Sequence, residues 1–481
     1  MTAPAAPRPL LGLWDCISLI VGIVIGTVIF KMPPFIFQNA GGPWAGLGLW
    51  LAGGLAAFCG GLVFAELATT YPRSGGEYNY LTRAYGRWAG FAFGWAQLSV
   101  VQTGSIGFLS YVAGEYAADL FQLPKTSIPW IAAGVVLVIT LLNMAGIRTG
   151  RRVQNALSIS KLLGLSLLVI AGLGFGQAEW TAGAPAADAA SRTDWATAFI
   201  LILYAYGGWS DAAFVVAEMK DPGRNVPRAM FVGIAAVTIV YLLINLAYLQ
   251  ALGYTGLCAS QVPPTDLLRL IAGNSAGNVM SVLVLVSALG GVNGLVFAVS
   301  RVHAALGADH PLFAAFARRD AADRAPVWAL AAQGAVTLGI ILAVGTESGR
   351  GAVDRLLTPL HLGPIPWDRF FGGFDTLFAA SAPVYWCFFL LTGVSYFILR
   401  WKDADLPRPF RTPYYPLIPL LFCGISLFGL HAAWNFGGVL WPLVLLPLAA
   451  GVPLFIISEV LRLRGSDPAV GPTGPRPASD L

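Results

Sequence analysis

Six stretches of the chain, residues 44–65, 88–114, 126–147, 229–265, 270–300 and 414–458, contain no Lys, Arg, Asp or Glu. About 18 apolar residues suffice for a helix to cross the hydrocarbon of a bilayer. Backbone groups in lipid find no water, so such stretches must satisfy their own hydrogen bonds as helices. The stretch 414–458 is long enough for two crossings, with HAAWNFGG at 431–438 as the turn between them. Charged residues are only 11% of 481, apolar ones 57%, and mean hydropathy is +0.70, which excludes an ordinary water-soluble globule. The expected fold is an all-α membrane protein of about twelve transmembrane helices. They are placed near 14–37, 44–70, 88–117, 127–147, 156–176, 195–219, 227–252, 276–306, 326–345, 376–400, 414–432 and 439–461.

With twelve crossings both termini share a side. Of the 29 Lys and Arg, 22 fall on that side and seven on the other, so the positive-inside rule puts both termini in the cytoplasm. The sequence pI of 9.0 follows from this asymmetry facing anionic headgroups, and no nucleic-acid partner is implied. The first fourteen residues, MTAPAAPRPLLGLW, lack a basic n-region, an h-region and a cleavage site, so no signal peptide is expected. The end from Gly465, rich in Pro, Gly, Ser and Ala, reads as a disordered cytoplasmic tail. Five scattered cysteines suggest neither a disulfide framework nor a metal cluster.

Two crossings contain sequence that weakens a helix midway. The first carries Gly22-Ile23-Val24-Ile25-Gly26-Thr27 followed by Pro33-Pro34, and the sixth carries Tyr204-Ala205-Tyr206-Gly207-Gly208-Trp209. A single Gly-xxx-Gly such as Gly22 to Gly26 usually marks close helix contact. Paired breaks in the first and sixth crossings are instead what two inverted five-helix repeats would produce, with a binding site between them. Half-helix N-termini offer N–H groups to an anion and half-helix C-termini offer carbonyls to a cation. Such a pair suits a zwitterion with no charged side chain in the pocket.

At these residues the sequence resembles the L-type amino acid transporter family of the amino acid-polyamine-organocation superfamily, over roughly residues 12–460. The resemblance is carried by GIVIGTVIF (22–30), FAELATTYPRSGGEYNYL (64–81), RRVQNALSISKLLGL (151–165), YAYGGWSDAAFVVAEMKDPGRNVPRA (204–229), NGLVFAVSRVHAALG (293–307) and RPFRTPYYPLIPLL (408–421). It implies a leucine-transporter-like 5+5 inverted repeat plus two C-terminal helices, with helices 1 and 6 broken. It divides the chain into a cytoplasmic N-terminus (1–13), a transport core (14–400), helices 11–12 (401–462) and the tail (463–481). The implied function is secondary active transport of neutral L-amino acids, by sodium-independent exchange or proton-coupled uptake. A cationic amino acid or polyamine carrier of the same superfamily is the alternative, with Asp211 as the carboxylate such a pocket would need.

By motif position the amides of Gly26, Thr27 and Val28 would hold the substrate carboxylate. The carbonyls of Ile23, Val24, Tyr204, Ala205 and Gly207 would receive the ammonium. Val28 stands where the family generally has glycine, which adds a side chain to the pocket. Tyr206 and Trp209 are candidate gates, and Asp211 a residue that tunes the site. Lys161 resembles the family's lysine that stands where a sodium ion sits in sodium-coupled relatives; the alternative is a lysine snorkelling to the headgroups. Glu66, Glu115 and Glu218 also fall in or at the ends of predicted helices, and the nearby Arg73 and Arg224 suggest gate pairs with Glu66 and Glu218. Eukaryotic members join a heavy subunit through a cysteine in the loop after helix three; here that loop, DLFQLPKTSIPW (119–130), has none, so no disulfide-linked partner is expected. Four histidines without ligand spacing argue against a metalloenzyme and no cofactor is implied. A channel would instead need a filter loop or charged rings.

Overall fold

The computed structural model describes residues 10–26, 28–180, 193–260, 262–273, 275–318, 325–362, 365–367 and 372–465. These residues form helices and connecting turns, with one isolated β-bridge between Leu11 and Met219. The first crossing is divided into α1 (Leu13–Val24), α2 (Val28–Lys31) and α3 (Pro33–Ala40), followed by α4 (Pro43–Thr70) and α5 (Glu77–Tyr85). Next come α6 (Arg87–Ala96), a π-turn at Gln97–Val101, α7 (Gln102–Leu120), α8 (Ile128–Met144) and α9 (Ile147–Phe175). The stretch expected as the sixth crossing starts as α10 (Trp195–Ala205) and resumes as a 3-10 helix at Trp209–Glu218. Then follow α11 (Pro222–Ala259), α12 (Pro263–Ala272), α13 (Ala276–Asp309), α14 (Val327–Gly345), α15 (Glu347–Leu357), α16 (Gly372–Lys402), α17 (Leu417–Gly437) and α18 (Trp441–Gly465).

Ten helical stretches among the described residues are long and apolar enough to cross a membrane. Large apolar side chains point outward, among them Leu137, Val138 and Leu141 on α8 and Leu163, Leu167 and Ile170 on α9. Water would not tolerate such a surface and lipid does, so the chain is a multi-pass membrane protein.

Inside the bundle, small residues let helices approach. On α4, a Cβ at Gly54 would meet Thr238 Oγ1 at 2.5 Å and one at Gly61 would meet Ile234 Cδ1 at 2.6 Å, so both glycines seat α4 directly on α11.

The helix expected as the fifth crossing, α9, starts nine residues before its expected position, at Ile147 instead of 156. The expected start lay beyond Arg148, Arg151 and Arg152, yet the helix runs through all three. There Arg151 meets Asp15 at 3.4 Å and Asn155 donates to Asp15 at 2.8 Å, tying α9 to the start of α1. Helix α18 runs to Gly465, so residues 463–465 of the expected tail are helical; the remainder of the tail, and residues 1–9, lie outside the described residues.

The side bearing the N-terminus is sealed. The amides of Leu10 and Leu11 donate to the Glu218 carbonyl at 2.9 and 2.8 Å, and Lys220 N–H returns a bond to the Leu11 carbonyl at 2.9 Å. Arg301 on α13 clamps Glu218 through Nη2 at 3.0 Å and Nε at 3.2 Å, and lies 3.9 Å over the Phe297 ring. The neighbours in sequence suggested otherwise: Glu218 pairs with Arg301 instead of Arg224. Glu66 pairs with Arg400 and Arg408 instead of Arg73. Helix geometry accounts for both corrections, since each carboxylate points across the bundle to another element and not along its own chain.

Candidate functional site

Helix α1 stops at Val24 because the next residues leave helical geometry. Ile25 has ψ 73° and its N–H still reaches the Val21 carbonyl at 3.0 Å, while Gly26 N–H folds back onto the Val24 carbonyl at 2.7 Å. Helix α10 stops at Ala205; Gly207 N–H turns back to the Tyr204 carbonyl at 2.9 Å, and Gly208 takes φ +97°, a region that favours glycine. A helix end leaves carbonyls without intrahelical partners, so each break has acceptors to satisfy.

The two breaks face each other. A Cβ at Gly208 would lie 2.5 Å from Ile23 Cγ2, so only a residue without a side chain lets the turn after α10 press on α1. The Tyr241 hydroxyl of α11 lies 2.7 Å from the Val24 carbonyl and 2.8 Å from the Ala205 carbonyl. It has one proton to donate, so it serves one break at a time while bridging both. Gly208→Ala is expected to cost about 1–3 kcal/mol for the left-handed backbone alone, with the Ile23 contact adding to it. A lower melting temperature of the purified protein checks this; an unchanged one would contradict it.

Lys161, on α9, is fully buried, and its ammonium donates to the Gly22 carbonyl at 2.8 Å and to the Ile25 carbonyl. Ser287 of α13 adds a bond to the Ile25 carbonyl at 3.2 Å. The lysine therefore sits at the break in α1 and does not snorkel to the surface. The two glycines of the Gly22–Gly26 pair divide their tasks. A Cβ at Gly22 would strike Gln154 Nε2 at 1.9 Å, so Gly22 brings α1 against α9, whereas Gly26 stands at the break.

A cavity of about 100 Å³ opens between the breaks. One water needs only about 10–15 Å³ on this measure, so there is room for a small solute. Among the sequence candidates, Ile23, Val24, Gly26, Val28, Tyr204, Gly207 and Asp211 line it. Thr27 lies outside the described residues. Ala205 contributes through the carbonyl held by Tyr241. Tyr206 turns away, its hydroxyl donating to the Trp50 carbonyl at 3.0 Å, and Trp209 packs edge-on against Phe64 at 5.1 Å.

Sequence reasoning missed the other walls. Gln102, Ser105 and Phe108 come from α7, just after the π-turn, and Phe378, Ser381 and Tyr385 come from α16. A π-turn re-phases the helix around it, which no local pattern in 97–101 announces. Gln102 donates to Asp211 at 3.1 Å, fixing that carboxylate on the cavity wall. Glu115, at the other end of α7, lies within electrostatic reach of Lys31 and Asp375 and takes no part in the site. No group of His, Cys, Asp and Glu suited to hold a metal ion occurs among the described residues.

A family model described as amino acid permease matches residues 11–458, nearly the whole chain. The chain belongs to the amino acid permease family. The permease is 29% identical over 471 residues to the large neutral amino acids transporter small subunit 2 of Mus musculus, a match covering 93% of this chain and 80% of that protein. It is 28% identical over 449 residues to a serine/threonine exchanger of Bacillus subtilis, covering 92% of this chain and 95% of the exchanger. It is also 29% identical over 446 residues to the b(0,+)-type amino acid transporter 1 of Homo sapiens, covering 87% and 81%. The bacterial relative has nearly the permease's own length, so the match takes in almost all of both chains.

Proposed function

We propose that the permease is a sodium-independent carrier that exchanges neutral L-amino acids across the plasma membrane by alternating access. The observation that carries this reading is the meeting of two broken helices at one cavity, Ile23 against Gly208, with helix-end carbonyls from both converging there. In the proposed complex the amides of Gly26, Thr27 and Val28 take the substrate carboxylate, Gly26 N–H turning from the Val24 carbonyl to do so. The carbonyls of Ile23, Val24, Tyr204, Ala205 and Gly207 receive the ammonium, which replaces the Tyr241 proton at Val24 and Ala205. Lys161 supplies a fixed positive charge in place of a sodium ion. Tyr206 and Trp209 act as gates from behind the cavity wall, and Asp211 tunes the site from within it.

The same reading assigns the helices to twelve crossings. Crossings one to five and six to ten form inverted repeats within 14–400, and two more follow within 401–462, with both termini cytoplasmic. The carrier works without a cofactor and without a disulfide-linked heavy subunit. The names of the relatives, a large neutral amino acids transporter and a serine/threonine exchanger, support neutral substrates. Reconstituted in sodium-free proteoliposomes, the permease is expected to take up labelled neutral amino acid several-fold faster when the lumen holds unlabelled neutral amino acid. Uptake that is absent, or that requires sodium, would contradict the reading.

A further inference from the structure

Buried carboxylates elsewhere in the permease are matched by cations: Glu66 by Arg400 and Arg408, Glu218 by Arg301. Glu77 and Asp211 are different. They are 3% and 2% exposed, yet none of the ion pairs among the described residues includes either.

The fold brings the two together. Glu77 opens α5, between the crossings α4 and α6. Just before it, Gly75 N–H donates to the Phe214 carbonyl at 2.9 Å, and a Cβ at Gly76 would lie 3.2 Å from the carbonyl carbon of Ala213. This seats Glu77 against the 3-10 helix that carries Asp211. The carboxylates are within electrostatic reach of each other, and Tyr385 is within reach of both. The other groups facing them are neutral: Gln102 from α7 on Asp211, Tyr80 from α5 on Glu77, and Tyr385 from α16. Glu77 Oε2 and the fully buried Tyr80 hydroxyl have no hydrogen-bond partner. Burial holds the Glu77 carboxyl well above the ordinary carboxylate range; its own backbone N–H opposes this and the Asp211 charge reinforces it.

Two like charges in a low-dielectric interior, with no cation between them, cannot both remain ionised. We propose that Glu77 and Asp211 form a proton-binding site which fills from the substrate cavity and empties towards the side bearing the N-terminus, so that one proton accompanies each amino acid. This inference rests on the carrier reading above. With the cavity open outward, hydronium transfers its proton to an Asp211 oxygen and leaves as water; the proton then moves on to a Glu77 oxygen as Asp211 regains its charge, so that the two acids together hold one proton while both are dry. When the Gly75–Phe214 contact parts and Glu77 is wetted, the O–H bond breaks, the proton passes to water, and the pair regains its charge. Asp211 borders the cavity and Glu77 lies on the sealed side, so the pair spans the barrier.

The test uses the full chain in sodium-free proteoliposomes with a lumenal pH dye. For the wild type, adding neutral amino acid outside vesicles whose lumen holds none should acidify the lumen. An acidic exterior should drive about tenfold accumulation per unit of pH difference at one proton per substrate, and net uptake should fall as the exterior is made alkaline. Glu77→Gln should flatten this pH profile and remove amino acid-dependent acidification, and Glu77→Asp should restore both. Net uptake into an amino acid-free lumen without acidification, or counterflow with no net uptake under an acidic exterior, would overturn the proton site while leaving the carrier intact, as would a wild-type pH profile in Glu77→Gln. If Glu77→Gln does not fold, the wild-type acidification and accumulation alone decide. No counterflow at all would instead overturn the carrier reading.

Discussion

Lys161→Ala is expected to lower sodium-free amino acid exchange by about one to two orders of magnitude, while the protein still inserts and folds. The ammonium is the donor that satisfies the Gly22 and Ile25 carbonyls where α1 ends. A buried acceptor left without its donor costs about 1–3 kcal/mol; Ile25 keeps Ser287, so the full loss falls on the Gly22 carbonyl. Each 1.4 kcal/mol is about a factor of ten, which sets the expected range. Ser287 softens the loss only at Ile25. Exchange at the wild-type rate in Lys161→Ala, measured across pH, would remove the lysine from the mechanism.

The second large effect concerns stability. Glu66, fully buried near the end of α4, accepts from Arg400 Nε and Nη2 at 2.8 Å each, and from Arg408 Nη1 at 3.1 Å. The Tyr396 hydroxyl at 2.7 Å and Thr412 N–H at 2.6 Å complete its shell. This one carboxylate therefore fastens α4 to α16 and to the segment leading into α17. Arg400 also stacks on Tyr415 at 4.1 Å, so the guanidinium is held in place whether or not the carboxylate remains. Glu66→Gln leaves two guanidinium groups facing a neutral amide, and breaking a buried pair in this way costs about 3–5 kcal/mol. A marked fall in the melting temperature and in the yield of monodisperse protein is expected; an unchanged melt would show that the cluster contributes little.

The long uncharged runs made the helical membrane architecture legible, because crossing a bilayer is a local requirement on about twenty consecutive residues. The breaks were legible for a similar reason: Gly26 and Gly207-Gly208 stand where helices stop, and the +97° φ of Gly208 is a demand made on one residue. Side-chain direction beyond a break was not legible. Residues 206–208 are turned out of the helix and reset its phase, so Tyr206 and Trp209 could not be assigned a direction from α10. Partners were hidden by distance along the chain, since Arg400 is 334 residues from Glu66 and Tyr241 is 217 from Val24. Charge was informative about the membrane boundary and misleading about helix ends, as the arginines at the start of α9 show.

In the proposed complex the cavity between the two breaks holds the amino acid. Equilibrium binding of labelled neutral amino acid to the purified permease in sodium-free buffer, wild type against Gly207→Val, tests it most directly. Gly207 lines the cavity, so a valine there fills space the substrate needs without disturbing the Lys161 or Glu66 clusters. Saturable binding by the wild type, weakened at least about tenfold in a variant that melts normally, is the predicted result. Equal binding by both proteins would place the substrate elsewhere and contradict the account.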